Sequence, residues 1–194
     1  MQNNPSIIKE IFKGLSFSDE ELLIISSVLM KMEFKKGSFI FKANDNVENM
    51  FYIYDGCLRT FHRDSSGKEH TIQFGIKDWW ITDFTAYTST SKAIMNLEVI
   101  EDATLYALSS TDKEYVYNEV PQIETFMRKK LESAFAAFQK RMVVSLSQSA
   151  KERYLDFLDT HNNIEKKLKN YHIASYIGIT NESLSRIRKE LYNS

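Results

Sequence analysis

The sequence contains little cysteine, proline or glycine: one Cys, two Pro and six Gly among 194 residues. A single cysteine, Cys57, excludes an internal disulfide, and it also excludes the four-cysteine sites that hold iron–sulfur clusters or structural zinc. A chain without disulfides is typical of a reducing compartment. Iron–sulfur proteins are therefore excluded as a class.

Long apolar runs are also missing. No stretch approaches the roughly 20 apolar residues that cross a membrane as a helix. The N-terminus, MQNNPSIIKEIF, lacks the basic region followed by an apolar region that marks a signal peptide. We therefore expect a cytoplasmic protein that has no membrane partner.

Charge is unevenly distributed along the chain, although the net charge is only −1. Residues 1–120 carry 12 Lys and Arg against 18 Asp and Glu, whereas residues 121–194 carry 13 against 8. An acidic N-terminal part and a basic C-terminal part indicate two functions, and a basic segment is typical of nucleic-acid binding. An ordinary solvated surface would give the same balance, so charge alone does not decide between them.

The pattern of apolar residues divides the chain into a helical start, a β-rich middle and a helical end. Residues 5–32 are predicted to be helical, with Ser18 as N-cap and Glu21 three residues later. From Glu33 to about Ser110, short apolar or alternating runs separated by turn residues predict an antiparallel sandwich or barrel. Asp55-Gly56 is the strongest hairpin signal in this region.

A long helix is predicted from Pro121 to about Leu146, because this stretch has no glycine and no further proline. Apolar residues recur along it at spacings of three and four. This seam is suited to pairing with a second copy of the helix, although it could also pack on the β-rich part of its own chain. The residues that we predict to mediate dimerisation are Met127, Leu131, Ala134, Phe135, Phe138 and Met142.

The sequence HIASYIGITNESLSRIRKEL, His172–Leu191, predicts two short helices joined by a tight turn. The first runs from about Asn170 to Ile177, and Gly178 follows where the turn needs a positive φ angle. Thr180 is a suitable N-cap for a second helix ending near Leu191. At about 100° per residue, the apolar and polar residues of this second helix lie on opposite faces. The polar face holds the predicted DNA-binding residues Thr180, Asn181, Glu182, Ser183, Ser185, Arg186 and Lys189.

Those polar residue types carry the functional prediction. Asn, Glu and Arg side chains can hydrogen-bond the edges of adenine, cytosine and guanine. They stand at the N-terminal end of the second helix, which is the end that a helix-turn-helix inserts into the major groove. Thr180 and Ser183 are placed where hydroxyl groups and the helix N-terminus contact phosphates.

The segment IASYIGITNESLSRIRKEL resembles the helix-turn-helix of the Crp/Fnr family of transcription regulators, in which an "iA..lG.t.e..SR..k.L" pattern recurs. FKKGSFIFKANDNVENMFYIYDGCLRTF likewise resembles the family's β-roll signature, with Gly37 and Gly56 at two of its turns. The resemblance implies an α+β fold: a cyclic-nucleotide-binding-type sensor domain over 1–118, a long dimerisation helix over 119–147, and a helix-turn-helix domain over 148–194. Since the sequence ends just after the second helix, we expect no β-wing there.

The family resemblance also implies partners and residue roles. A homodimer would bind a pseudo-palindromic site on double-stranded DNA, with RNA polymerase as a further partner. Glu182 and Arg186 would make the main base contacts, Arg186 to guanine, while Ser183 would contact phosphate. Asn181 replaces an arginine that is common in the family, and this departure favours an adenine in the half-site.

Cyclic AMP is not the expected effector. Family members that bind it carry a "GE" pair and an "R-S/T-A" run, whose Arg meets the cyclic phosphate. Here Asp83 stands near the Glu position, but no arginine lies between Arg63 and Arg128, and Lys92 cannot reproduce the bidentate contact. Trp80 and neighbouring aromatic residues either line a pocket for another small molecule or belong to the core. We therefore assign Trp80, Asp83 and Lys92 to a candidate effector pocket and expect no cofactor.

The sequence leaves two other classes of protein as alternatives. A cupin-like metal enzyme needs a His-x-His pair with a Glu. Glu69 and His70 are adjacent, so they point to opposite faces of a strand and cannot bind one metal ion together with His62. No nucleophile or phosphate-loop motif is present, so we expect no enzymatic activity. A regulatory or interaction module of the same family that does not bind DNA is the second alternative.

Overall fold

The computed structural model of the protein describes residues 5–89, 91–161 and 164–192. Its internal contacts define two compact units: Met1–Thr60 with Phe74–Ser133, and Phe61–Gln73 with Ala134–Ser194. These two units divide the predicted long-helix segment 119–147 between residues 133 and 134, and they place one hairpin with the C-terminal part of the chain. The hairpin 61–73, although it lies within the β-rich sequence, groups with the C-terminal helices.

Two helices open the first unit: α1 (Pro5–Ile11) and α2 (Asp19–Val28). The predicted N-cap is confirmed, because the Glu21 N–H donates to Ser18 Oγ at 3.2 Å and the Ser18 N–H donates to Glu21 Oε2 at 2.7 Å. The predicted helical region extended to residue 32, which is wrong. The chain leaves α2 at Val28 and enters a strand at Met30.

Six strands form one sheet, and the predicted antiparallel β-roll is confirmed. They are β1 (Met30–Phe34), β2 (Phe39–Phe41), β3 (Asn49–Arg63), β4 (Glu69–Ile76), β5 (Trp80–Ile81) and β6 (Asn96–Ser109). The order is β1-β6-β3-β4, with β2 also paired to β6 and β5 to β3. Antiparallel registers such as Met30 opposite Ala107 and Phe51 opposite Ile81 fix which side chains face inward.

The predicted hairpin at Asp55-Gly56 is wrong, because both residues lie inside the 15-residue strand β3. Gly56 has a φ of +106°. A Cβ at this position would lie only 2.7 Å from Ala103 Cα and 2.7 Å from the Asp102 carbonyl oxygen. The glycine is therefore required by the close approach of β3 to β6, and not by a turn.

The apolar side chains of β3 alternate between two core clusters. Phe51 and Ile53 pack inside the roll with Leu97 and Leu105, whereas Tyr52 packs in the cluster formed with the helices. This period of two is what a strand buried on both faces requires. Both clusters belong to the first unit.

Helices complete the chain. The first unit contains α3 (Phe84–Ser89), α4 (Ser110–Glu119) and the start of α5 (Pro121–Ser147). Helix α5 has 27 residues, about 40 Å at 1.5 Å per residue. The second unit adds α6 (Ala150–His161), a 3-10 helix (Glu165–Lys167), α7 (Asn170–Ile177) and α8 (Asn181–Tyr192). Both predicted terminal helices are confirmed. Within the described residues, no helix is long and apolar enough to cross a membrane.

Candidate nucleic-acid interface

Helices α7 and α8 are joined by a turn that depends on Gly178. Its φ of +73° is the left-handed conformation that ends α7, and the following N–H of Ile179 donates to the Ala174 carbonyl at 2.9 Å. Thr180 then caps α8, since the Ser183 N–H donates to Thr180 Oγ1 at 3.3 Å. The turn and the cap are those expected from the sequence, and they fix where α8 begins.

The apolar face of α8 is buried in the second unit. Leu184 is fully buried, Ile187 is 5% exposed and Leu191 is half-buried. Ile173 and Ala174 on α7 are buried as well. Because these side chains fix the rotation of α8 about its axis, the opposite face must point into solvent.

That opposite face carries the predicted DNA-binding residues. Six of the seven are exposed and Ser183 is half-buried. Among the described residues, the side chains of Asn181, Ser185, Arg186 and Lys189 make no hydrogen bond or ion pair. The pKa of Glu182 is lowered, first by a hydrogen bond from its own backbone N–H and then by the Thr180 hydroxyl. The face thus offers hydrogen-bonding groups that the fold itself does not use.

Arg188 has a different role, which the sequence did not reveal. Its guanidinium lies 2.5 Å from Glu165 Oε1, donates to the Tyr154 hydroxyl at 2.9 Å and donates to Asn170 Oδ1 at 2.6 Å. These partners come from the 3-10 helix, α6 and α7. Arg188 therefore ties α8 to three other elements of the second unit, while Arg186, two residues earlier, faces outward.

The predicted dimerisation seam lies on α5, and the structure divides it. Met127 is 1% exposed and packs in the first unit's core with Val120 and Ile123, so its side chain is already covered within its own chain. From residue 131 onward the seam is exposed: Phe135 is 62% exposed. Leu131, Ala134, Phe138 and Met142 are exposed too, and so are Val143 and Leu146, which the sequence-based prediction omitted.

Two of the three residues assigned to the candidate effector pocket, Asp83 and Lys92, make hydrogen bonds within the chain. Asp83 is fully buried and is used by the protein itself: it accepts hydrogen bonds from the backbone N–H groups of Thr85, Ile94 and Met95 at 3.1, 2.9 and 3.0 Å. Lys92 is exposed and donates to Asn46 Oδ1 at 2.8 Å. A ligand that used the Asp83 carboxylate would have to compete with these backbone donors, so the effector-pocket assignment stays a prediction.

Trp80, the third predicted pocket residue, is half-buried and packs against aromatic residues of a core cluster. Its ring lies 5.5 Å from that of Tyr52 and 6.3 Å from that of Phe12. Trp80 thus packs against the cluster that β3 forms with the helices, and not inside the roll.

The residues weighed for a metal enzyme do not converge on one point. His62 is exposed, and His70 Nε2 lies 2.7 Å from Asp64 Oδ2 in the turn of the hairpin. Across residues 5–89, 91–161 and 164–192, no group of three or more His, Cys, Asp or Glu side chains is arranged to hold a metal ion.

Comparison with known proteins finds a matching family model, relatives in sequence and solved structures of similar fold. Residues 31–119 match the family model of the cyclic nucleotide-binding domain. The transcriptional activator protein Anr of Pseudomonas protegens is 19% identical over 185 residues, covering 89% of this chain and 75% of Anr. The structure of FixK2 from Bradyrhizobium japonicum has a TM-score of 0.73 at 16% identity, covering 86% of this chain and 85% of that one. The c-di-GMP-responsive global regulator CLP of Xanthomonas campestris has a TM-score of 0.75 at 10% identity, covering 91% and 92%.

The fold is therefore the one that these two solved structures share, and its β-rich part, residues 31–119, matches a cyclic nucleotide-binding domain. These findings support the assignment to the Crp/Fnr family of transcription regulators that the terminal motif predicts.

Proposed function

We propose that the protein is a homodimeric, sequence-specific DNA-binding regulator that acts in the cytoplasm on transcription by RNA polymerase. One observation carries the proposal: buried Leu184 and Ile187 aim an exposed polar face outward, and Arg186 on that face has no partner among the described residues. Residues at the N-terminal end of such a helix are the ones that reach base edges in the major groove.

Dimerisation through α5 supports the same proposal. The exposed seam from Leu131 to Leu146 places large apolar side chains in water, with Leu146 82% exposed. A second copy of the helix would cover these side chains by pairing along the seam. A two-fold dimer would present two recognition helices and would require a pseudo-palindromic site.

The proposal is tested by selecting binding sites from random duplex DNA with the full chain. We expect enrichment of a palindrome with half-sites about one helical turn apart. Arg186→Ala should weaken binding to the selected site by about 1–3 kcal/mol and relax the preference at one base position. If no palindrome is enriched, with or without cell extract, the protein is a regulatory or interaction module that does not read DNA.

We further propose that cyclic AMP is not the effector. The Asp83 carboxylate is occupied by backbone N–H groups of its own chain, and no arginine stands between Arg63 and Arg128 to meet a cyclic phosphate. Titration calorimetry with cyclic AMP should detect no tight binding. Tight binding would overturn this part of the proposal.

A further inference from the structure

The hairpin 61–73 makes a specific contact with the first helix of the helix-turn-helix motif. The Thr71 N–H donates to Ser175 Oγ at 2.8 Å, and Ser175 Oγ donates to the Glu69 carbonyl at 2.7 Å. Glu69 and Thr71 are two residues apart, so these groups point to the same side of β4. The Ser175 hydroxyl thus supplies both the acceptor and the donor that a neighbouring strand would supply.

Arg141 on α5 reinforces the same contact. Its guanidinium donates to the Ile72 carbonyl, to the Thr71 carbonyl at 3.2 Å and to the Tyr176 carbonyl at 3.3 Å. It also stacks on the Tyr176 ring, with 3.9 Å between the guanidinium carbon and the ring centroid. One cation therefore joins two carbonyls of the hairpin to the last turn of α7.

The C-terminal end of α7 is held by a second arginine. Arg153 Nε donates to the Ile177 carbonyl at 2.9 Å, and its Nη1 donates to the Gln148 carbonyl at 2.7 Å. Carbonyl groups at a helix C-terminus carry partial negative charge and lack partners within the helix, so cations stabilise them. With Arg141 and Arg153 on these carbonyls, α7 has a fixed end from which Gly178 and α8 continue.

We propose that Ser175 and Arg141 are positioning residues, which couple DNA binding by α8 to the state of the hairpin 61–73. The hairpin is the end of strands β3 and β4, whose other residues belong to the first unit. A change in those strands therefore reaches α7 through the hydrogen bonds of Ser175 and Arg141. This coupling rests on the proposed function, whereas the hairpin contact itself does not.

Coupling is reciprocal, and this gives a measurable consequence. If an ordered hairpin favours DNA binding, bound DNA must also favour the ordered hairpin. The amide proton of Thr71 reports on the contact directly, because its acceptor is Ser175 Oγ. Its hydrogen exchange is measured in the full chain, with and without the selected duplex DNA.

The variant that tests the proposal is Ser175→Ala, which removes one hydroxyl from a helix and suits helical structure. In the DNA-free protein, we expect Thr71 amide exchange to become roughly tenfold faster, while the amides of Leu184 and Ile173 remain as protected as in the wild type. Affinity for the selected duplex should fall by about 5-fold or more, the lower end of typical coupling between sites.

Two further variants separate positioning from a general loss of structure. Ser175→Thr keeps a hydroxyl and should restore slow Thr71 exchange and DNA affinity. Ser147→Ala removes another hydroxyl of the second unit, which donates only to the Val143 carbonyl of its own helix, and should change neither measurement.

The outcomes are distinguishable. Unchanged Thr71 exchange in Ser175→Ala overturns the hairpin contact. Wild-type protein that binds DNA without added protection of Thr71, or Ser175→Ala protein that binds DNA as tightly as the wild type, overturns the coupling. If the wild type binds no DNA sequence, the proposed function fails and the coupling with it, while exchange in the DNA-free protein still decides the contact.

Discussion

The guanidinium of Arg188 lies 2.5 Å from the carboxylate of Glu165, and this ion pair joins helix α8 to the 3-10 helix before α7. Both side chains are less than a third exposed, at 29% and 24%. Arg186 is exposed, although it lies only two residues away on the same helix. The two arginines of α8 thus have different tasks: Arg188 holds the helix in place and Arg186 faces the proposed DNA.

Replacing Arg188 by Ala should lower the free energy of unfolding by about 1.5–3 kcal/mol, the usual worth of hydrogen bonds to charged groups. Urea unfolding of the full chain measures this loss. The matched control is Arg186→Ala, which should stay within about 0.5 kcal/mol of the wild type, as surface substitutions do. Equal losses in the two variants would show that the division of tasks is wrong.

DNA affinity should fall linearly with the logarithm of salt concentration, because phosphate contacts release counterions. Lys189 is exposed on the proposed DNA-binding face. If it contacts phosphate, Lys189→Ala will weaken binding similarly for all duplexes and reduce the salt slope by about 1. Fluorescence anisotropy from low to moderate salt gives both quantities. A slope identical to that of the wild type would remove Lys189 from the interface.

The stability of the second unit should decrease as pH falls below about 6.5. Burial, and then the positive charge of Arg141, lower the pKa of His161 from its ordinary 6.5. The unfolded chain therefore takes up a proton at a pH where the folded chain does not, and each such proton favours unfolding. The loss begins at the unfolded pKa and stops growing below the folded one.

Urea unfolding at pH 7.5 and pH 5.5 tests this dependence. His161→Phe is the suitable comparison, because the ring stacks on Phe157 with 5.0 Å between centroids. The wild type should lose more stability than His161→Phe between these two pH values. The same loss in both proteins would assign the pH dependence to other groups.

Gly56→Ala should destabilise the first unit by about 1–3 kcal/mol through overpacking alone. The added Cβ would lie 2.7 Å from atoms of Ala103 and Asp102 on the neighbouring strand. Gly37→Ala is the control, since Gly37 also has a positive φ, +84°, but has no atom within 4 Å of a Cβ. Thermal unfolding of both variants should show the larger loss for Gly56→Ala. A larger loss for Gly37→Ala would mean that backbone conformation outweighs the close approach.

Local signals in the sequence predicted the cap of α2 and the turn between α7 and α8 closely. The signals are Ser18 with Glu21, Gly178, and Thr180. Each contacts backbone groups only three or four residues away, and the structure places each at its predicted cap or turn. The apolar spacing of α8 likewise fixed its buried face, because a helix repeats every 3.6 residues.

Features that depend on distant parts of the chain were not predictable in this way. In the sequence, Gly56 has the pattern of a hairpin glycine. Only the structure shows that it lies against Ala103, which is far away along the chain. Asp83 resembles a ligand-binding carboxylate until the N–H groups of Ile94 and Met95 are found to donate to it. Likewise, Arg141 gives no signal that its partners are carbonyls of residues 71 and 72.

Asp83 has a consequence for how this protein could respond to any small molecule. Its carboxylate joins the start of α3 to the backbone at Ile94 and Met95 through hydrogen bonds of the chain itself. A ligand that recruited the carboxylate would compete with donors that are already in place and would gain no new order in return. An effector that leaves these hydrogen bonds intact would therefore have to take its binding energy from contacts with other residues.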